Sequence, residues 1–553
     1  MTLLTRGRGR HAAPPAHRSA LAGTGLVARL ALRRSRWFWL LWLLALGLMM
    51  PATVSAYHEL MPDTQLGRGT LEALAANPTM RAMLGPPYDL GNAGGFAMWR
   101  VGTFVAAAAA MMAALGVIRA TRAEEEAGRL ELLRAGAIGR RAPLAGALLV
   151  AFGACLALAL LVTAGLATTA PPLTGALAAG LGIGLTGAVW AAVGAVAAQL
   201  SESARTARFI AVGSLGLAYV VRALADGGPT DSLLAPLGWL SPVQWAALAR
   251  PYADERWWVL LLPLVSTVLL AWLAFALEGR RDHGGGVRAA RPGPAHGSAW
   301  LGGVEALVWR LERGAAIGWL LGMALFSLAI GSLAGTIDQV ITDNEQIAQM
   351  FRRMGGGGDV LRDAFYGAML SIVVALIALY GAAVLLRLRA EQEAGHIELL
   401  GSTATSRTRL FLARVVPAFL LATLVLVVTG ACIALPQAIS TGDVAVVPRI
   451  VGAALGLAPG IWLTLGLGAA LLGLAPRFAP LIWVVLGWAL FVTWVGALLN
   501  LPQVLLDATP FAALAALPVE PMNWTPWLIE TGLAVALVAA GWWGWRRADI
   551  AAA

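Results

Sequence analysis

Lysine is missing from this chain. All 40 basic residues among its 553 are arginine. A Walker A phosphate loop needs its lysine at the β/γ-phosphates, so that ATPase site is excluded. Lysine Schiff-base chemistry is excluded with it. Cysteine is nearly missing too. Cys155 and Cys432 are too few for a disulfide framework or a cysteine-based zinc site. Both fall inside apolar runs, where they read as small packing residues. The six histidines show no metal-ligand spacing. No nucleophile–base constellation and no G-x-S-x-G elbow is present, so no catalytic or metal site is assigned. Strand-like alternation is absent, which argues against a membrane barrel.

What the chain has is apolar length. Apolar residues make up 59%, charged residues 13%, and mean hydropathy is +0.74. No soluble globular class has that composition. About twelve runs of roughly 20 apolar residues are each long enough to cross a ~30 Å hydrocarbon core. Backbone groups in lipid must be satisfied within the segment, so these runs read as helices. Spans are predicted at about 37–56, 95–118, 143–168, 175–199, 208–225 and 257–278, then at about 315–336, 365–386, 410–434, 449–474, 480–499 and 526–545. A signal peptide ending at Val54-Ser-Ala56 is the rival for the first run. It is rejected because Trp39-Leu-Leu41 has a counterpart in Trp319-Leu-Leu321.

The chain repeats itself. Arg122-Ala-Glu-Glu-Glu-Ala-Gly-Arg-Leu-Glu-Leu-Leu133 returns as Arg389-Ala-Glu-Gln-Glu-Ala-Gly-His-Ile-Glu-Leu-Leu400, with nine of twelve positions identical at an offset of 267. Arg140 and Arg407 keep that offset. Gly180, Gly184, Trp190 and Gly194 align with Gly452, Gly456, Trp462 and Gly466 at an offset of 272. The fold expected is therefore an all-α polytopic membrane protein of about twelve helices, a tandem duplication of a six-helix unit. Six is even, so the repeats are parallel. Arginine-rich segments place both termini in the cytoplasm by the positive-inside rule. The expected organisation is a basic cytosolic segment with an amphipathic helix (1–36), a first six-helix half (37–278), a cytosolic linker with an amphipathic helix (279–314), a second half (315–545) and a cytosolic C-terminus (546–553). The net charge of +10 belongs to topology and anionic headgroups rather than to nucleic acid. Outer loops 57–94 and 337–364 are each expected to hold a short helix, from Thr70 to Leu84 and from Asn344 to Met354.

Each copy of the repeated phrase has helical character. On one helix, Glu124, Gly128 and Glu131 share a face, with Leu130 and Leu133 roughly opposite. A mid-helix glycine costs about 1 kcal/mol against alanine. Its repetition points either to close approach of another backbone or to a corner between two short helices. A solvated amphipathic helix explains one copy, but matched copies with matched arginines favour a docking surface used twice. The paired glycines of the fourth helices suit packing within each half, or contact between halves. Phe96, Trp99, Phe365, Tyr366, Trp483, Trp488, Phe491 and Trp494 suit an apolar substrate path, although aromatics so placed more often form lipid-facing or interfacial belts. Arg100, Arg222 and Glu530 lie near span ends. Mid-membrane charges are scarce, which counts against an ion-coupled carrier.

These residues resemble a known family. Two six-helix halves, each with an E-x-E-x-G-x-x-E-L-L loop after its second helix, look like the fused permease of an ABC-2-type exporter. With Gly23-Thr-Gly-Leu-Val-Ala-Arg-Leu-Ala-Leu-Arg-Arg34, the chain is similar to actinobacterial permeases for tetronasin and polyketide antibiotics. The resemblance implies coupling helices that dock on separate ATP-binding subunits. The first is Glu124, Glu126, Gly128, Glu131, Leu132 and Leu133; the second is Glu391, Glu393, Gly395, Glu398, Leu399 and Leu400. Arg140 and Arg407 frame them. Gln392 and His396 depart from the first copy, which implies docking sites of unequal strength. The resemblance also implies a substrate path between the halves, lined by helices two and five of each.

The expected function is a bacterial inner-membrane permease that exports hydrophobic or amphipathic compounds. Its partners would be two copies of a nucleotide-binding subunit holding ATP and Mg, membrane lipids and an apolar small-molecule substrate. It has no cofactor of its own and does no bond chemistry. The alternatives are an ion-coupled secondary multidrug exporter, a lipid or glycolipid exporter of the same architecture, and a membrane scaffold that transports nothing.

Overall fold

A computed structural model of the chain describes residues 19–60, 75, 78–134, 138–228, 232–282, 284–287, 296–298, 300–343, 358–493 and 503–548. Among the described residues every regular element is helical. The chain divides into two compact units, Met1–Gly293 and Pro294–Ala553. The first holds α1 (Thr24–Leu60), α2 (Ala93–Glu126), α3 (Ala142–Thr169), α4 (Leu173–Leu200), α5 (Ala204–Asp226) and α6 (Trp257–Arg280). The second holds α7 (Val304–Asp343), α8 (Gly358–Glu393), α9 (Arg407–Thr441), α10 (Val446–Leu474), α11 (Pro476–Phe491) and α12 (Trp524–Arg547).

Eleven of these helices are long and apolar enough to cross a membrane, and α11 is the shorter one. The span expected at about 480–499 runs from α11 into residues 494–500, which lie outside the described ones. The N-terminal amphipathic segment and the first span form one helix, with only Ser35 (φ −113°, ψ 16°) out of helical geometry. No proline or glycine separates the two pieces, and the Ser35 hydroxyl donates back to the Ala31 carbonyl, a bond that bends a helix without ending it. The same fusion joins the linker helix to the next span in α7. The short outer helix of the first unit is Pro78–Leu84. Its expected start at Thr70 and the whole of 344–354 lie outside the described residues.

Both units use one packing scheme. In the first, α1 packs on α3, α3 on α4, α2 on α4, α6 on α4 and α5 on α2. In the second, α7 packs on α9, α9 on α10, α8 on α10, α12 on α10 and α11 on α8. The fourth helix is central because its small residues let backbones approach, which is what joins helices in lipid. A Cβ at Gly180 would stand 2.5 Å from the Ala159 carbonyl oxygen of α3, and one at Gly194 would stand 2.8 Å from the Ala114 oxygen of α2. At Gly466 the neighbour is the Ala534 oxygen of α12, at 2.9 Å. These glycines serve packing inside their own unit. Trp39 covers Gly116 of α2, and its counterpart Trp319 stacks on Tyr380 of α8 at 5.2 Å. The outward faces stay apolar: Leu41 on α1, Phe209 on α5 and Trp272 on α6 are all well exposed. Such faces suit hydrocarbon and would be liabilities in water.

Candidate functional site

In each unit the second helix ends in a corner. After a break at Thr121, α2 continues through Arg122–Glu126, turns at Ala127 and Gly128, and restarts as Arg129–Arg134. In the other unit, α8 ends at Glu393 and restarts as His396–Gly401. Gly128 has φ +70° and Gly395 has φ +73°. That left-handed conformation costs an L side chain roughly 1–2 kcal/mol. Among the described residues, nothing lies within 4 Å of where a Cβ would stand at either glycine. The turn itself therefore requires glycine, and close backbone approach does not. The single face expected to carry Glu124, Gly128 and Glu131 together does not form, because the left-handed residue redirects the second short helix. Leu130 and Ile397 point inward and are buried, and Leu400 packs partly against the core. Glu131 and Glu398 are exposed, and Leu399 is 69% exposed. The Leu132 and Leu133 side chains fall outside the described ones.

The glutamates of the first corner are tied down inside their own unit. Glu124 accepts from Arg34 Nη1 of α1 at 2.7 Å, and from Arg129 Nε and Nη2 across the corner at 2.8 and 2.9 Å. This contact holds the Arg129 guanidinium above its usual range. Glu126 accepts from the Ala204 backbone N–H at 3.1 Å, so an acid sits on the positive end of α5.

Sequence reasoning passed over Glu125, which is the most buried acid of the three. It forms a two-pronged pair with Arg281 at 2.8 and 2.9 Å, meets Arg122 at 3.1 Å and accepts from the Gly284 N–H. Arg122 also donates to the Ala198 carbonyl at the end of α4 and to the Gly285 carbonyl. The signal lay in the Arg280-Arg-Asp282 ending, but Gln392 at the matching position hid it.

The second corner reaches the same end by other means. Glu391 accepts from the buried Arg414 of α9, which also donates to Glu312 of α7 at 2.6 Å. Arg387 pairs with Glu312 as well, at 2.7 Å. Glu393 accepts from Arg389, and Arg389 reaches the Pro476 carbonyl just past α10 at 2.8 Å, much as Arg122 reaches the last turn of α4. Glu312 and Arg414 have no charged counterparts in the first unit, so the repeat did not point to them.

Arg140 and Arg407 do equivalent work. Arg140 Nη2 donates to the carbonyls of Glu278 and Arg281 at the end of α6. Arg407 Nη1 donates to those of Arg546 and Ala548 at the end of α12.

The aromatic residues considered for a substrate path are divided among different environments. Trp99 and Tyr366 share the 267 offset and are both buried. Trp99 Nε1 donates to the Gly85 carbonyl at 3.0 Å, and the Tyr366 hydroxyl meets Gln437 Oε1 at 2.5 Å. Phe96 packs beside Trp99, and Phe365 beside Tyr366. Trp488 stacks on Phe491 at 5.6 Å, Trp483 is exposed, and Trp494 lies outside the described residues.

Comparison with known proteins gives the arrangement a family. The pattern described as the multidrug efflux system permease Rv1217c, C-terminal domain, matches residues 301–546. The multidrug efflux system permease protein Rv1217c of Mycobacterium tuberculosis (strain H37Rv) is 35% identical over 546 residues, which is 98% of each chain. With that identity along its whole length, the chain belongs to the family of the multidrug efflux system permease Rv1217c.

Proposed function

We propose that this chain is the membrane-spanning subunit of an ATP-driven exporter of ABC-2 type, akin to actinobacterial permeases for tetronasin and polyketide antibiotics. It carries hydrophobic or amphipathic compounds out across the bacterial cytoplasmic membrane. Two copies of a separate subunit bind ATP and Mg and dock on the two corners. The positive-inside rule assigns the arginine-rich ends of both units, and both termini, to the cytoplasm.

The observation that carries this reading is the duplicated corner and its ties. A short helix, anchored by one buried aliphatic residue, projects from the second helix of each unit. In the first unit the corner is bonded to α1 through Glu124 and to α5 through Glu126, and Arg122 joins it to the end of α4. A push on this arm reaches several helices together. Nucleotide-driven closure of the partners then shifts the permease between inward- and outward-open populations, by differential binding to the two states. The name of the relative supports a drug-like cargo. Because Glu391 and Glu393 are paired within their own unit, the exposed Leu399 is the contact we assign to the partner surface in the second corner.

Affinity isolation from native membranes tests this. A Walker-motif ATPase at two copies per permease is the expected companion, and Leu399→Asp should shed it while the permease stays folded. Drug efflux by the isolated chain, with no nucleotide-hydrolysing partner, would overturn the proposal.

One observation favours the ion-coupled reading. Glu530 in α12 is 7% exposed, and its Oε2 has no hydrogen-bond partner among the described residues. Buried acids in spans are usually functional. Efflux that collapses with a protonophore at constant ATP, and in Glu530→Gln, would select that mechanism.

A further inference from the structure

A cavity of about 540 Å³ opens at the arginine-rich end of the first unit, between α1, the end of α2 and the corner. Four guanidinium groups line it, those of Arg34, Arg119, Arg129 and Arg208, against the single carboxylate of Glu124. Glu124 is already shared between Arg34 and Arg129. Arg119 lies over the Phe38 ring at 5.8 Å and has no anionic partner among the described residues. Arg208 makes no hydrogen bond or ion pair among them. Among the described residues the cavity therefore carries more positive charge than its one carboxylate neutralises.

The duplication supplies an internal comparison. Positions answering to Arg34, Arg119 and Arg129 are Gly314, Leu386 and His396 in the second unit. The fold repeats without these arginines, so packing does not demand them.

Apart from Ser35, its remaining wall is apolar, chiefly from Val27, Leu30, Leu130 and Pro143. On the same stretch of α1, Leu26 and Trp37 are each 65% exposed, as a helix lying against lipid would have them. We propose that the cavity binds the phosphate of an anionic phospholipid headgroup, held chiefly by Arg119 and Arg208. Guanidinium forks suit phosphate oxygens, and basic pockets at the inner leaflet select anionic lipids. This inference rests on the membrane setting of α1 and not on the docking of any ATPase.

The test uses the full-length permease in nanodiscs of phosphatidylcholine, with or without phosphatidylglycerol. Phosphatidylglycerol should raise the melting temperature of the parent protein by several degrees. The double variant Arg119→Gln/Arg208→Gln should lose that gain, and Arg119→Lys/Arg208→Lys should keep most of it. Removing equal charge outside the cavity, by Arg29→Gln/Arg33→Gln, should leave the gain in place. The proposal is overturned if the outside pair abolishes the gain equally, since general surface charge would then be responsible. It is also overturned if inorganic phosphate in phosphatidylcholine discs reproduces the gain, because the ligand is then the free ion. A third overturning result is a full lipid response in the Gln pair together with loss of ATPase copurification, which would assign the cavity to an acidic side chain of a partner subunit.

Discussion

Arg140 and Arg407 stand 267 positions apart and hold the closing carbonyls of α6 and α12, each within its own unit. The negative end of the last helix in a unit is thus met by a guanidinium from the segment that follows the corner. The contacts are exposed or partly buried, so each contributes about 1 kcal/mol to stability. On the proposed mechanism the mechanical part of each is larger, since it joins the arm to α6 or α12. Arg140→Ala and Arg407→Ala should therefore lower the melting temperature little and cut drug efflux strongly. Efflux in inverted vesicles, set beside thermal unfolding in detergent, checks the split.

Glu125 should behave in the opposite way. It sits between Arg122 and Arg281 with almost no exposure. Removing one member of a buried pair typically costs about 3–5 kcal/mol, because the remaining charges lose compensation. Glu125→Ala should lower the melting temperature well beyond either corner arginine. Gln392→Ala, at the matching position, should stay within about 0.5 kcal/mol, as surface changes usually do. Thermal unfolding of the two variants side by side decides this.

The corner glycines give a conformational prediction. Gly128→Ala and Gly395→Ala introduce a Cβ where there is room but where the backbone angle disfavours it, at roughly 1–2 kcal/mol each. Asparagine tolerates that region better than alanine. Asparagine variants should accordingly retain more ATPase copurification and efflux than alanine variants. Equal loss in both would show that the turn geometry is not what matters.

Glu124 separates an internal tie from an external one. Glu124→Arg alone should impair efflux, because it faces Arg34 and Arg129. Adding Arg129→Glu rebuilds an opposite-charge pair across the corner. Recovery of efflux in the swapped pair identifies the glutamate as an anchor of the arm. Failure to recover, with normal unfolding, identifies it as a direct contact of the partner. Glu391→Arg should be more damaging, since it would leave the buried Arg414 beside a second cation.

Helix order and the repeated packing were legible because apolar run length and repeated spacing are local signals, and eleven of about twelve expected spans are long enough to cross a membrane. The corner was legible as one of two alternatives, since a glycine kept twice inside a helical phrase has few explanations. The fate of the acids was not legible. Glu124, Glu125 and Glu126 are adjacent and chemically alike, yet they bond to α1, to the segment after α6 and to α5 respectively. Only the rotation of the short helix past Thr121 decides which acid faces which neighbour, and nothing in the spacing encodes it. The fusion of each amphipathic segment with its span was missed for a related reason. A change in polarity marks where lipid begins, and a helix need not end there.

Arg122 joins three segments at once: Nε meets the end of α4, Nη2 meets Gly285, and the remaining nitrogen faces Glu125. An ammonium group is a single point at the tip of a flexible stem and cannot address three directions set by a planar fork. A chain that relies only on arginine for positive charge has consequently been able to use its cations as rigid brackets, and a lysine placed at 122 would keep the charge but lose the joint.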